Sequence, residues 1–308
     1  MIQLIKDFLV RLGPKNALVR GALRVHGSRC GFEITYPGDC IVLRKREREM
    51  VLGKAQFIQV PLMMDCFELY FNTVESESAG DCAVLNFSRP GLHRYIGSQV
   101  AFYFPSVPED DVMDAYTSSY KPQPGDVIWD AGAHAGASSF FLAQMVGPSG
   151  KVYAFEPDEE NFEYLTRNVE LHGLRNVIPI KKALTGSTGT ANFCMDGTMS
   201  AGLAEYLVYS DQRFFQTVST ITLPDACAEL GEVPKYVKMD IEGAEVDAVG
   251  CAQEFLKAHP IYLSIESNHR LNGEPTYKRL DKLFSGIGYT TRSSDQFGQM
   301  FTWAEPPL

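Results

Sequence analysis

The sequence predicts an α/β fold, a mostly parallel sheet wound by helices and preceded by a β-rich N-terminal extension. Three observations carry this. After Gly125, short apolar runs alternate with helical stretches of about 10–15 residues, the rhythm of right-handed β-α-β crossovers. Before it, from about Cys30 to Phe104, shorter runs rich in β-formers are separated by Gly, Pro, Asn and Ser. Between the two regions, Pro105, Pro108, Pro122, Pro124 and Gly125 punctuate the chain. A division of the 308 residues into 1–109 and 110–308 is therefore expected.

Taken in order, residues 2–12 place Ile2, Ile5, Phe8, Leu9 and Leu12 at helical spacing, with Gly13-Pro14 as the stop. The first 29 residues hold six basic residues and one acid, so this helix could lie weakly on an anionic membrane. Docking on the domain's own core is the simpler expectation, because one short helix is a weak anchor. The runs IVLRK, AQFIQV, FELYF, CAVLNF and QVAFYF then read as strands, and Arg44–Glu49 as a solvated strand face or turn. In the second region DVIWDAG, KVYAFEP, NVIPIKKAL, YVKMD and IYLSIES read as strands, with YTTRS and GQMFTW closing the sheet. The intervening helices are ASSFFLAQMVG, DEENFEYLTRNVELHG, AEVDAVGCAQEFLKAH and PTYKRLDKLFSGIG. TGTANFCM and FQTVSTITL read as an inserted strand pair.

Composition narrows the function. Hydrophobic residues at 45% and charged residues at 21% exclude a disordered chain. The net charge of −10 opposes a nucleic-acid partner, since phosphate contacts need clustered cations. Residues 1–115 are nearly balanced (13 basic, 14 acidic), and residues 116–308 carry the excess (15 basic, 24 acidic). Seven cysteines, with no C-x-x-C spacing, suggest neither a zinc knuckle nor a disulfide framework. A reducing compartment follows, and with no apolar run long enough for a membrane span, a cytoplasmic protein is expected.

Chemistry concentrates at strand ends, where open α/β sheets bind ligands. The first strand closes in Asp130-Ala131-Gly132-Ala133-His134-Ala135-Gly136. Gly132 and Gly136 allow a ligand close to the backbone. The spacing is neither G-x-G-x-x-G nor a Walker loop, and an acid ahead of the turn repels pyrophosphate but suits a cationic amino acid. A tight turn without ligand is the plain alternative. Glu156 closes the second strand 20 residues after Gly136, where a carboxylate meets a ribose diol. The alternative is a surface acid opening the next helix; its place at a strand end favours the ribose. The fourth strand runs into Lys238, Asp240, Glu242 and Glu245, and the fifth ends at Glu266 with His269 three residues on. Charges at a strand terminus must be paired or face a cleft.

These motifs, in this order and spacing, resemble the FkbM-type family of S-adenosylmethionine-dependent methyltransferases over roughly residues 110–290. The resemblance implies the class I methyltransferase Rossmann-like sheet, mostly parallel with its last strand antiparallel. It implies that Asp130, Gly132 and Gly136 cradle the amino-acid part of S-adenosylmethionine, that Glu156 holds its ribose, and that Ala183 lies near its adenine. Asp240, Glu242 and Gly243 would face the transferred methyl. His134 stands where many members carry Asn. The expected reaction is O-methylation of a hydroxyl on a small natural product, sugar or lipid-linked glycan, with the N-terminal region shaping the acceptor pocket. Asp240, Glu266 and His269 are the candidate catalytic groups, and His269 has the unperturbed pKa best matched to a base at neutral pH. Two carboxylates could recruit Mg²⁺, but an ion pair from Lys238 would satisfy Asp240 equally well, and a metal-free site is expected. A nicotinamide-dependent oxidoreductase is disfavoured by the missing middle glycine; a catalytically idle cofactor-binding module remains open.

Overall fold

The computed structural model describes residues 16–109, 113–194, 202–203, 215–271, 273–296 and 298–307. The helix expected over residues 2–12 lies outside them. The chain divides into two compact units, the first ending at Glu109.

The first unit opens with a helix absent from the sequence reading, α1 (Ala17–Arg29). The Asn16 side chain caps it, accepting from Leu18 N and Val19 N, and Val19, Leu23 and Gly27 form its buried stripe. Strands β1 (Glu33–Thr35), β2 (Cys40–Lys45), β3 (Arg48–Gly53), β4 (Glu77–Ala79) and β5 (Cys82–Phe87) form a sheet in the order β1-β2-β3-β5-β4. Arg46 and Glu47 turn the β2–β3 hairpin, and Arg44 pairs with Glu49 across it. Two expected strands are helical instead. AQFIQV falls in a 3₁₀ turn (Lys54–Gln59) running into α2 (Val60–Asp65), and FELYF opens α3 (Phe67–Thr73). Period decides the matter: Val60, Met63, Met64, Phe67 and Tyr70–Phe71 are buried at helical rather than alternating spacing, with Pro61 in the first turn. A hairpin of β6 (Gly91–Arg94) and β7 (Ala101–Phe104) completes the unit.

The second unit begins with α4 (Met113–Tyr116), followed by β8 (Val127–Ala131), α5 (Ala137–Val146), β9 (Lys151–Phe155), α6 (Glu159–Leu171) and β10 (Val177–Ile180). Short strands β11 (Ala183–Leu184) and β13 (Gly202–Leu203) join the inserted pair β12 (Gly189–Cys194) and β14 (Phe215–Ile221) in a separate sheet. NVIPIKKAL is thus two strands in two sheets. Next come α7 (Leu223–Leu230), which the sequence reading missed despite its Thr222 cap and Pro224, then β15 (Tyr236–Met239), α8 (Glu245–Cys251) and α9 (Gln253–Ala258). β16 (Tyr262–Glu266), the two-residue strands β17 (Arg270–Leu271) and β18 (Glu274–Pro275), α10 (Thr276–Gly286), β19 (Thr290–Gln296) and β20 (Gln299–Glu305) end the chain.

The main sheet has the order β10-β9-β8-β15-β16-β20-β19. Its pairs are parallel except those of β20, which runs antiparallel to both neighbours, as expected of a class I methyltransferase sheet. Alternation along the strands loads two cores. Trp129, Ala131, Val237, Met239, Leu263 and Ile265 belong to one, and Ile128, Val152, Ala154 and Tyr236 to the other. Strand order reverses between β8 and β15, so their carboxyl ends open the crevice where such sheets bind ligands.

Candidate active site

The turn after β8 is shaped by three left-handed residues, Gly132 (φ 77°), His134 (φ 48°) and Gly136 (φ 88°). Gly132 N and Ala133 N both donate to Phe155 O at 3.0 Å, which ties the turn to β9. A Cβ on Gly132 would overlap the carbonyl oxygen of Asp240 and lie 2.8 Å from its carbonyl carbon. The sequence reading gave this glycine to ligand clearance; the backbone after β15 already requires it. At Gly136 a Cβ would lie 2.6 Å from the Leu165 Cδ1, with the Leu165 backbone no nearer than 3.7 Å.

Asp130 is fully buried. Oδ2 accepts from Ser138 Oγ (2.7 Å) and Ser139 Oγ (2.6 Å), and Oδ1 lies 3.1 Å from Lys238 Nζ. Lys238 also donates to Gly132 O at 2.7 Å. Oδ2 is thus held by two hydroxyls while Oδ1 faces the Lys238 charge, and the residue braces the turn. Lys238 thus answers Asp130, one strand over from Asp240. Asp130 and Lys238 stand at one register level of β8 and β15, which brings their side chains to the same face.

Glu156, one residue beyond β9, is 4% exposed. Its carboxylate accepts from His134 N at 2.8 Å and Asp158 N at 2.9 Å, so it is the backbone of His134 that reaches the acid. Burial pushes the Glu156 pKa up to about 7, opposed by the nearby His134 ring. Ile180, at the end of β10, accepts from Glu156 N at 3.0 Å. Ala183, three residues further, packs with Phe193, Val218 and Ala244, beside Ile241. The expected adenine segment therefore adjoins the turn after β15.

On the other side of the crevice the structure brings Asp240, Glu266 and His269 together, with one donor atom from each within 4.8 Å of the others. Glu266 Oε1 accepts from Asn268 Nδ2 at 2.9 Å. The hydroxyl of Tyr116, a residue the sequence reading did not single out, lies 3.3 Å from Glu266 Oε2 and 3.4 Å from Asp240 Oδ2. Tyr236 Oη donates to Tyr116 O (2.9 Å) and Trp303 Nε1 to Ala115 O (2.8 Å), which fixes α4 on the sheet. Burial, then the Asp240 charge, raises the Glu266 pKa well above the ordinary carboxylate value, which favours its protonated form. Asp240 Oδ1 is buried and has no hydrogen-bond partner among the described residues.

His269 departs from the expected neutral base. Its Nε2 is 3.2 Å from Glu242 Oε2 and its Nδ1 3.0 Å from Glu245 Oε1. Burial opposes charge on the ring, but Glu245 and Glu242 outweigh it and raise the pKa well above 6.5. The unperturbed value used in the sequence reading does not apply between two carboxylates. Glu242, expected against the cofactor, is committed to this pair from a left-handed backbone (φ 55°).

The model of the methyltransferase FkbM domain matches residues 130–296. The hexuronic acid methyltransferase AglP of Haloferax volcanii is 32% identical over 126 residues, covering 40% of this chain and 48% of the relative. A protein-L-isoaspartate O-methyltransferase of Aeropyrum pernix is 44% identical over 59 residues, 19% of this chain and 23% of its own. The chain thus spans half or less of these relatives' length. Among solved structures, methyltransferase FkbM of Methylobacillus flagellatus KT is similar at 17% identity and a TM-score of 0.42, covering 58% of this chain and 43% of that one. Because the matched span starts at Asp130 itself and carries the sheet through to Gln296, this chain belongs to the FkbM family of S-adenosylmethionine-dependent methyltransferases.

Proposed function

We propose that the protein methylates a hydroxyl oxygen of a sugar, a lipid-linked glycan or another small polyhydroxylated acceptor. The observation that carries this is the Asp240–Tyr116–Glu266 group, set beside the Gly132 turn by direct backbone packing. The residues fit S-adenosylmethionine. Glu156 is a buried acceptor at a strand end, suited to a ribose diol, and the left-handed turn keeps side chains out of the backbone's path. When bound, the cofactor supplies an electrophilic methyl on a sulfonium. Asp240 is the base in this reading, its buried Oδ1 receiving the acceptor's hydroxyl proton. Neutral Glu266 offers a proton in a hydrogen bond, and Tyr116 spans the pair and fixes its geometry.

The cleft also selects among acceptors. Asp240, Glu242 and Glu245 are answered by one imidazolium, so the reacting group should be electroneutral. AglP is named for a hexuronic acid; here a hydroxyl suits the acids better than a carboxylate would. We place the enzyme in a reducing compartment, the cytoplasm, on cysteines that show no C-x-x-C spacing. The test is production of S-adenosylhomocysteine with a panel of neutral sugars, their uronic acids and glycolipids. Turnover of neutral hydroxylated acceptors is expected. Turnover confined to carboxylate acceptors would overturn the reading.

A further inference from the structure

We propose that His269 is a positioning residue whose imidazolium, held between Glu242 and Glu245, ties the loop after β15 to the loop after β16 and so fixes the separation of Asp240 and Glu266. It rests on the methyl-transfer reading, in which those two carboxyl groups face the acceptor.

Proton counting supports it. A neutral imidazole carries one N–H and one lone pair. Here Nε2 lies 3.2 Å from Glu242 Oε2 and Nδ1 3.0 Å from Glu245 Oε1, and a doubly protonated ring turns positive charge and a proton toward both acids. The partners differ in origin. Glu242 and Glu245 follow β15, three residues apart, and His269 lies three residues beyond β16. Glu245 is fully buried and already anchored, its Oε1 accepting from Gly243 N (3.1 Å) and Ile241 N (3.3 Å). Glu242 sits in a left-handed conformation that a side chain adopts only when its surroundings hold it there. The imidazolium supplies that hold. Covalently, Asp240 is two residues from Glu242, and Glu266 three from His269, so the clamp acts where the two reactive carboxyls leave their strands.

The other charges around the ring agree. Asp240 and Glu266 stand on the same side of the crevice, and Lys238 is engaged with Asp130. Held by Glu245 and Glu242, the ring keeps its second proton through neutral pH. A ring with both nitrogens protonated does not accept a proton, so the base role falls to Asp240. The clamp's contribution is present below the ordinary histidine pKa and is lost as pH rises through the raised one.

Nitrogen NMR of ¹⁵N-histidine-labelled full-length protein reads the ring directly. Both His269 nitrogens should be protonated from pH 6 to 8, and Glu245→Gln should lower the titration midpoint. A singly protonated ring at pH 7 overturns the proposal. Kinetics give the second reading. His269→Gln should lower kcat by about 10²-fold, the cost of misplacing reacting groups by ~1 Å, with cofactor affinity nearly unchanged. Glu242→Gln combined with His269→Gln should recover about tenfold of that loss, since an amide pair replaces the unpaired carboxylate. If the double variant is no more active than His269→Gln alone, the ring acts otherwise and the proposal fails. A wild-type protein that turns over no hydroxylated acceptor refutes the methyl-transfer reading instead, and the NMR titration still decides the clamp.

Discussion

Replacing Gly132 with alanine tests whether this glycine serves the fold or the ligand. Two costs follow from its geometry. The residue sits at φ 77°, where a Cβ costs about 1–2 kcal/mol. The same Cβ would overlap Asp240 O and come to 2.8 Å from its carbonyl carbon, both backbone atoms that no rotamer change can move. Overpacking of this kind costs ~1–3 kcal/mol. The total is roughly 2–5 kcal/mol, a large part of the ~5–15 kcal/mol that holds a domain folded. In a unit of this size that is about 5–20 °C of Tm. Gly136→Ala is the control: its φ of 88° carries the same conformational cost, but its Cβ would press on a side-chain methyl of Leu165 rather than on backbone. It should lose ~1–2 kcal/mol. Urea unfolding of the cofactor-free proteins measures both. A Gly132→Ala variant within about 1 kcal/mol of wild type, or no less stable than Gly136→Ala, would refute the claim that the β15 backbone dictates this glycine.

Three further outcomes follow from the site. Glu156 titrates near 7 in the free protein, and a ribose diol needs the carboxylate as acceptor, so cofactor affinity measured by calorimetry should fall about tenfold from pH 8 to pH 6; Glu156→Gln should be weaker by ~1–3 kcal/mol at pH 8 and lose that pH dependence. Asp240→Asn should lower kcat by about 10²–10⁴ with cofactor affinity within about tenfold, whereas Tyr116→Phe should cost less, and equal rates for Asp240→Asn and wild type would remove Asp240 as base. EDTA should leave a fully active enzyme active, because the raised pKa of Glu266 favours a protonated acid, a poor ligand for Mg²⁺; restoration of lost activity by Mg²⁺ would contradict this.

The second unit was legible because its strands end in charge. Asp130, Glu156, Asp240 and Glu266 each follow an apolar run, and a sheet buried on both faces leaves such acids only the crevice. Partnerships were harder to read. Lys238 lies two residues from Asp240 in sequence, yet one strand over it meets Asp130 at its own level; matching positions back from each strand's end would have found that pair. The charge on His269 depends on Glu242 and Glu245 folding back onto it, which no spacing announces. Tyr116 carries no signal in the run Met113–Tyr116, and its role exists only once α4 is pinned by Tyr236 and Trp303. In the first unit AQFIQV and FELYF had strand-like composition, and the helical period became visible only across their junction, from Val60 to Phe71.

The margins of the main sheet bear on how the protein behaves at high concentration. One margin is β10, where Pro179 interrupts the row of amide donors that another strand would need. The other is β19, Thr290–Gln296, which has no apolar residue and carries Arg292 and Asp295. An incoming strand therefore meets a missing donor on one side and a hydrated, charged ribbon on the other. Aggregation by sheet extension is blocked at both ends, so precipitation during concentration or crystallisation trials should answer to net charge and pH more than to unsatisfied strand edges.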